Sequence, residues 1–247
     1  KVAPEDKDRL NEFVIDKEDI FYIPSSASTS IRNKYHTPDK ERRTCTCIGQ
    51  ADPFRIDDIP EVDCDVYHLA GLIYGDFDGE LIKALAEKGK VAVDVQALLR
   101  HADKKTGAMY FEDWAEKKEI LPYITYLKTD AAEAEILTGQ SDRVVAAKML
   151  HSWGAKEVVI THNTEVIAYD GEKLCACPIK ARNLSGRSGR GDTTFAGYIT
   201  ERINQPMDKA LLWATALVSN KMEKPGPYRG TRKDVEAYIK EFYPEFK

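Results

Sequence analysis

From about residue 64 the chain alternates short β-branched runs with stretches of helical period, and this alternation limits its folds more than any other feature. Residues 65–73 (DVYHLAGLI), 91–95 (VAVDV), 123–127 (YITYL) and 157–161 (EVVIT) read as short buried strands. Between them, 79–89 (GELIKALAEKG), 131–139 (AAEAEILTG) and 143–154 (RVVAAKMLHSWG) read as helices. Two further strands are expected at 165–170 and 173–179, turned by Asp170-Gly171, and then helical period over 192–203, 207–222 and 232–242. Strands interleaved with helices at this spacing predict an α/β fold with a mostly parallel sheet covered on both faces.

The first fifty residues have a different texture. Segment 20–48 holds two β-branched and aromatic runs around the polar turn TPDKE (37–41), the pattern of an exposed β-hairpin. Composition removes other classes: the net charge is −5, with 43% hydrophobic and 31% charged residues. That balance is globular, and it offers no basic footprint for nucleic acid or an anionic membrane. No apolar run approaches a membrane span, and KVAPEDKDRL is charged from its first residue, unlike a signal peptide. The five cysteines fall as Cys45-x-Cys47, Cys64 and Cys175-x-Cys177. A one-residue gap puts both thiols of a pair on one strand face, and zinc pairs are usually spaced wider, so reduced thiols in a cytoplasmic protein are expected. The five histidines show no metal-ligand spacing.

The chemistry concentrates in Ser185-Gly-Arg-Ser-Gly-Arg-Gly-Asp192, which runs into the apolar period Phe195, Tyr198, Ile199 and Ile203. Glycines ahead of a helix let bare amides converge on an anion, where the helix dipole adds its positive end. A carboxylate at that point repels a phosphate, which makes sense if Asp192 takes a proton from a hydroxyl attacking that phosphate. The simpler alternative is that Asp192 is an N-cap. Arg190-Gly191-Asp192 also reads as an adhesion tripeptide, a role the thiol usage opposes.

These residues resemble the ribokinase-like, or PfkB-type, carbohydrate kinases. Gly189-Arg190-Gly191-Asp192 with Ala196-Gly197 matches that family's anion hole, catalytic acid and following helix. Asp130-Ala-Ala-Glu133 resembles its Asn-x-x-Glu motif, Thr161-His-Asn163 its Thr-x-Gly strand end, and 216–227 its small-residue helix running into Lys-x-Gly. Arg190, Asp130 and Asn163 depart from the residues usual there.

The resemblance implies a three-layer ribokinase-like sandwich: a remnant of the core at 1–19, a β-lid at 20–48 and the kinase core at 49–247. It implies an ATP- and Mg²⁺-dependent kinase acting on a hydroxyl of a sugar, polyol or nucleoside, without nucleic-acid or membrane partners and dimeric through the lid. Asp192 would be the base, and Gly189, Arg190 and Gly191 the anion hole. Asp130, Glu133, Thr161, Asn163, Thr215, Ser219 and Gly226 would serve the nucleotide, with Glu133 reaching Mg²⁺ through water. Asp94, Gln96 and Arg100, after the 91–95 strand, are candidates for substrate contact or for strand-end polarity. The family's opening strand and Gly-Gly substrate loop are expected to precede the first residue of this chain. The alternatives are a sugar- or nucleotide-sensing domain without turnover and a kinase for a vitamin-type alcohol.

Overall fold

The computed structural model describes residues 1–36 and 43–246. A 3-10 turn over Pro4–Glu12 leads into extended chain, bridged once between Val2 and Pro24. Strands β1 (Ser30–Tyr35) and β2 (Arg43–Gly49) then pair antiparallel, so the expected hairpin forms, with its first arm starting at 30 and not 20. The expected turn at 37–41 lies outside the described residues.

The core begins with β3 (Val66–Leu69), α1 (Gly79–Lys88) and β4 (Lys90–Asp94). A single turn, α2 (Gln96–Leu99), leads into the short hairpin β5 (Arg100–Ala102) and β6 (Met109–Phe111), then α3 (Lys117–Ile120). Next come β7 (Tyr126–Asp130), α4 (Ala131–Thr138), α5 (Arg143–Ser152), β8 (Glu157–Thr161), β9 (Glu165–Tyr169) and β10 (Leu174–Pro178). Three helices close the chain, α6 (Arg190–Arg202), α7 (Met207–Met222) and α8 (Arg232–Phe242).

One six-stranded sheet runs in the order β10-β9-β8-β7-β4-β3. Its members β3, β4, β7 and β8 are parallel, and β9 and β10 add an antiparallel edge. Strand periodicity divides the interior into two layers. Val91, Val93, Leu127, Val158 and Ile160 face α1, α4 and α5, whereas Ala92, Tyr126 and Val159 face α6, α7 and α8. Cys175 and Cys177 share the buried face of β10, as a one-residue gap requires. Among the described residues no helix is long and apolar enough to cross a membrane.

Two expectations move and one element is new. The 123–127 strand lies three residues later, because Pro122, which lacks an amide donor, sits in a 3-10 turn, Leu121–Tyr123, and pairing runs on through polar Lys128, Thr129 and Asp130. The 65–73 strand stops at Leu69, beyond which the chain bends and the Tyr74 amide donates to the Arg100 carbonyl at 2.7 Å. The β5–β6 hairpin was not foreseen; it joins the β1–β2 hairpin through the Cys47 amide, which donates to the Gly107 carbonyl at 2.8 Å.

Candidate active site

Parallel strands place their carboxyl ends on one side of the sheet, where open α/β sheets bind ligands. Here β4 ends in Asp94, β7 in Lys128, Thr129 and Asp130, and β8 in Thr161. The 185–191 loop closes over these ends, forming a cleft that Asp94, Lys128, Asp130 and Thr161 share with Gly189, Gly191 and Asp192.

Gly189 is the N-cap of α6, with φ of +77°, a left-handed conformation that favours glycine. Asp192 is therefore three residues into the helix, and the cap makes no side-chain hydrogen bond, which removes the N-cap alternative for that carboxylate. The amides of Gly191 and Asp192 precede the intrahelical ladder and have no backbone acceptor among the described residues. A Cβ on Gly191 would lie 3.0 Å from Lys128 Nζ, so only glycine leaves that ammonium open to the turn.

Lys128 is 4% exposed and donates to Asp94 Oδ2 at 2.9 Å and Oδ1 at 3.1 Å, with Glu133 Oε2 3.9 Å away. Burial works against its charge, but the Asp94 and Glu133 carboxylates outweigh it and raise its pKa. Burial pushes the Glu133 carboxyl up to about 7, against the pull of Lys128. His68, on β3, packs edge-on against Phe195 of α6 with ring centroids 5.0 Å apart. Burial lowers its pKa, while Asp94 and Asp192 pull the other way.

The structure brings Asp192, Gly189, Arg190, Gly191, Asp130, Thr161, Asp94 and Gln96 to one cleft. Asn163 lines an adjoining hollow with Asp130, Thr161, Arg187 and Arg190. Five other expected residues stand elsewhere. Glu133 is 2% exposed and bound in a reciprocal cap with Asp130, accepting from its amide at 2.7 Å, so it does not line the cleft. Arg100 is buried and donates through Nε to the Leu72 carbonyl at 2.9 Å, bracing the bend after β3. Thr215 and Ser219 are buried within α7, bonded to the Leu211 and Thr215 carbonyls, and Ser219 also meets the Tyr243 hydroxyl at 2.9 Å. Gly226, at φ of +88°, only turns the loop after α7.

Lys128, Arg187 and Ser188 line the cleft and were missed by the sequence reading, as was His68 beside it. Lys128 had a visible signal, a lysine inside the apolar run YITYLKTD, since a buried lysine is rare unless paired.

Comparison with known proteins agrees with this geometry. The sequence profile of the pfkB family of carbohydrate kinases matches residues 62–234. The chain belongs to that family. A pyrophosphate-dependent kinase of the ribokinase family, solved as a sulfate complex, superposes with a TM-score of 0.85 at 32% identity, over 96% of this chain and 83% of that one. A pyrophosphate-dependent myo-inositol-1 kinase converted by two substitutions into a myo-inositol-3 kinase superposes at 0.83 with 30% identity, over 98% and 83%. Cytidine kinase of Thermococcus kodakarensis is 34% identical over 97 residues, 36% of this chain, and the match spans only 35% of that curated relative. Ribokinase of Arabidopsis thaliana shares the fold at a TM-score of 0.61 and 20% identity, over 81% of this chain and 65% of that one. The pfkB fold thus carries the three-layer architecture expected from the sequence.

Proposed function

We propose that this pfkB-family chain transfers a phosphoryl group from a phosphoanhydride donor, seated on the 189–192 turn, to a hydroxyl of a sugar, polyol or nucleoside. The observation that carries it is the meeting of the left-handed Gly189 turn, the first-turn carboxylate of Asp192 and the buried Lys128 ammonium in one cleft. Phosphoryl transfer needs positioning and charge neutralisation more than covalent chemistry. The amides of the turn and Lys128 would neutralise the transferring oxygens, and Asp192 would accept the proton of the attacking hydroxyl.

ATP and pyrophosphate both satisfy that chemistry, and pyrophosphate is the donor we favour. Two observations support it: the residues expected to line an adenine, Thr215 and Ser219, are packed inside α7, and the relatives similar over 96–98% of this chain are pyrophosphate-dependent. The chemistry Mg²⁺ supplies is charge neutralisation on the donor phosphates. A magnesium ion keeps much of its water shell, so a protein contact would run through a water. Asp130, whose carboxylate caps α4 and also lines the cleft, would hold such a water, and Glu133, buried behind it, does not line the cleft. A reducing, cytoplasmic setting fits the free thiols Cys175 and Cys177, and the lid hairpin is our candidate for a homodimer contact.

The test is turnover by the full chain with Mg²⁺ and either pyrophosphate or ATP against myo-inositol, ribose and cytidine. Asp192→Asn should lower kcat by roughly 10²–10⁴-fold. Loss of its first-turn charge should cost no more than about 1 kcal/mol of stability. A variant keeping most of its kcat sinks the base assignment, ATP turnover exceeding that with pyrophosphate sinks the donor assignment, and donor binding without turnover returns the chain to a sensing domain.

A further inference from the structure

Lys221, in the last turn of α7, is 4% exposed, yet its ammonium is satisfied by main chain. Nζ donates to the Gly186 carbonyl at 2.6 Å and to the Ser188 carbonyl. The same loop is tied to the end of α7 twice more: the Gly186 amide donates to the Met222 carbonyl at 2.7 Å, and Ser185 Oγ to the Glu223 carbonyl at 2.8 Å. A Cβ on Gly186 would fall 1.7 Å from the Lys224 carbonyl oxygen, so the loop is seated as closely as backbone allows.

Peptide planarity turns these contacts into a direction. In a trans peptide the carbonyl and the next amide point opposite ways. With the carbonyls of Gly186 and Ser188 drawn onto Lys221, the amides of Arg187 and Gly189 point away from it, on the side where both residues line the cleft. The ammonium also stands close behind the turn: the Cβ position of Gly189 is 3.8 Å from Lys221 Nζ and 3.8 Å from Asp192 Oδ2. Burial lowers the Lys221 pKa and the Asp192 carboxylate opposes that shift.

We propose that Lys221 is a positioning residue for the phosphoryl donor, holding the 186–187 and 188–189 peptides so that the amides of Arg187 and Gly189 face the cleft and placing a fixed positive charge behind them. It rests on the reading of 189–192 as an anion-binding turn. Dipoles oriented in advance need no rearrangement when charge arrives, which is where such a residue acts.

The experiment measures pyrophosphate and sulfate binding to the full chain, by titration and by ligand-induced shift in Tm, for wild type, Lys221→Met and Lys221→Gln. The steady-state KM for pyrophosphate and for the acceptor is measured alongside. Losing hydrogen bonds to a charged group predicts a roughly 10–100-fold weaker Kd for pyrophosphate in Lys221→Met. The acceptor KM should stay within about threefold, because the loss falls on donor binding alone. Lys221→Gln keeps a donor without the charge and should fall between; it also serves if the Met variant fails to fold. A folded variant binding pyrophosphate within threefold of wild type overturns the positioning role and leaves the turn intact as an anion site. A wild type that binds neither pyrophosphate nor sulfate overturns the anion-turn reading, and the positioning role with it.

Discussion

At the carboxyl ends of β4 and β7, Asp94, Lys128 and Glu133 are each under 5% exposed and held within one another's fields. The two hairpins β1–β2 and β5–β6 leave Ile48 and Phe111 about half exposed and are joined to each other through a backbone bond. The first region resists deformation because moving any member strands a buried charge; the second can shift without burying or exposing much. Rigidity is thus concentrated at the strand ends that line the cleft, and compliance in the two hairpins.

That contrast breaks most decisively at Lys128. Lys128→Met leaves the Asp94 carboxylate buried without its cation, which should cost about 3–5 kcal/mol. Adding Asp94→Asn should recover much of the loss, since an apolar or neutral replacement of a whole buried pair is often tolerated. Urea denaturation of wild type, single and double variants measures this; a single variant within about 1 kcal/mol of wild type would show that the cluster does not hold the strand ends.

A smaller and more local effect is expected between the two hairpins. Gly107 has φ of +70°, and a Cβ there would meet the Cys47 carbonyl oxygen at 2.3 Å. Gly107→Ala should cost about 1–3 kcal/mol. The cost should appear as faster amide exchange over residues 43–49, with pyrophosphate affinity unchanged. Weakened pyrophosphate binding in this variant would mean that the two regions are coupled more tightly than their packing indicates.

Much of this was legible in sequence because most residues answer to one demand. The helices at 207–222 and 232–242 and the strand at 157–161 lie where period and capping put them, since each has a continuous apolar face to bury. The 185–192 turn was legible because its glycines have no other economical explanation. The reading faltered where residues answer to two demands. Lys128, Thr129 and Asp130 belong to a strand by pairing but to the cleft by chemistry, so polarity hid the strand and the strand hid the lysine. Glu133 looked like a water-holding carboxylate from its motif, and only the fold shows it spent on the Asp130 amide. Lys221 had no signal of its own, because its partners are carbonyls 33 and 35 residues away.

Glu133 supplies the smallest test, and its sign is opposite to the usual behaviour of a paired carboxylate. Burial raises its pKa in the folded state from 4.5 to about 7, so between these values the native state holds a proton that the unfolded state has released. Stability must therefore fall as pH rises through that window and level off above it. Glu133→Gln keeps an oxygen that can accept the Asp130 amide but cannot titrate, so its stability should stay flat where wild type declines. The two curves should separate by roughly 2 kcal/mol between pH 5 and 7, with the variant gaining on wild type as pH rises. Denaturation midpoints at half-unit steps measure the separation. Parallel curves would mean that Lys128 keeps the Glu133 carboxylate ionised throughout, its attraction outweighing the cost of burial.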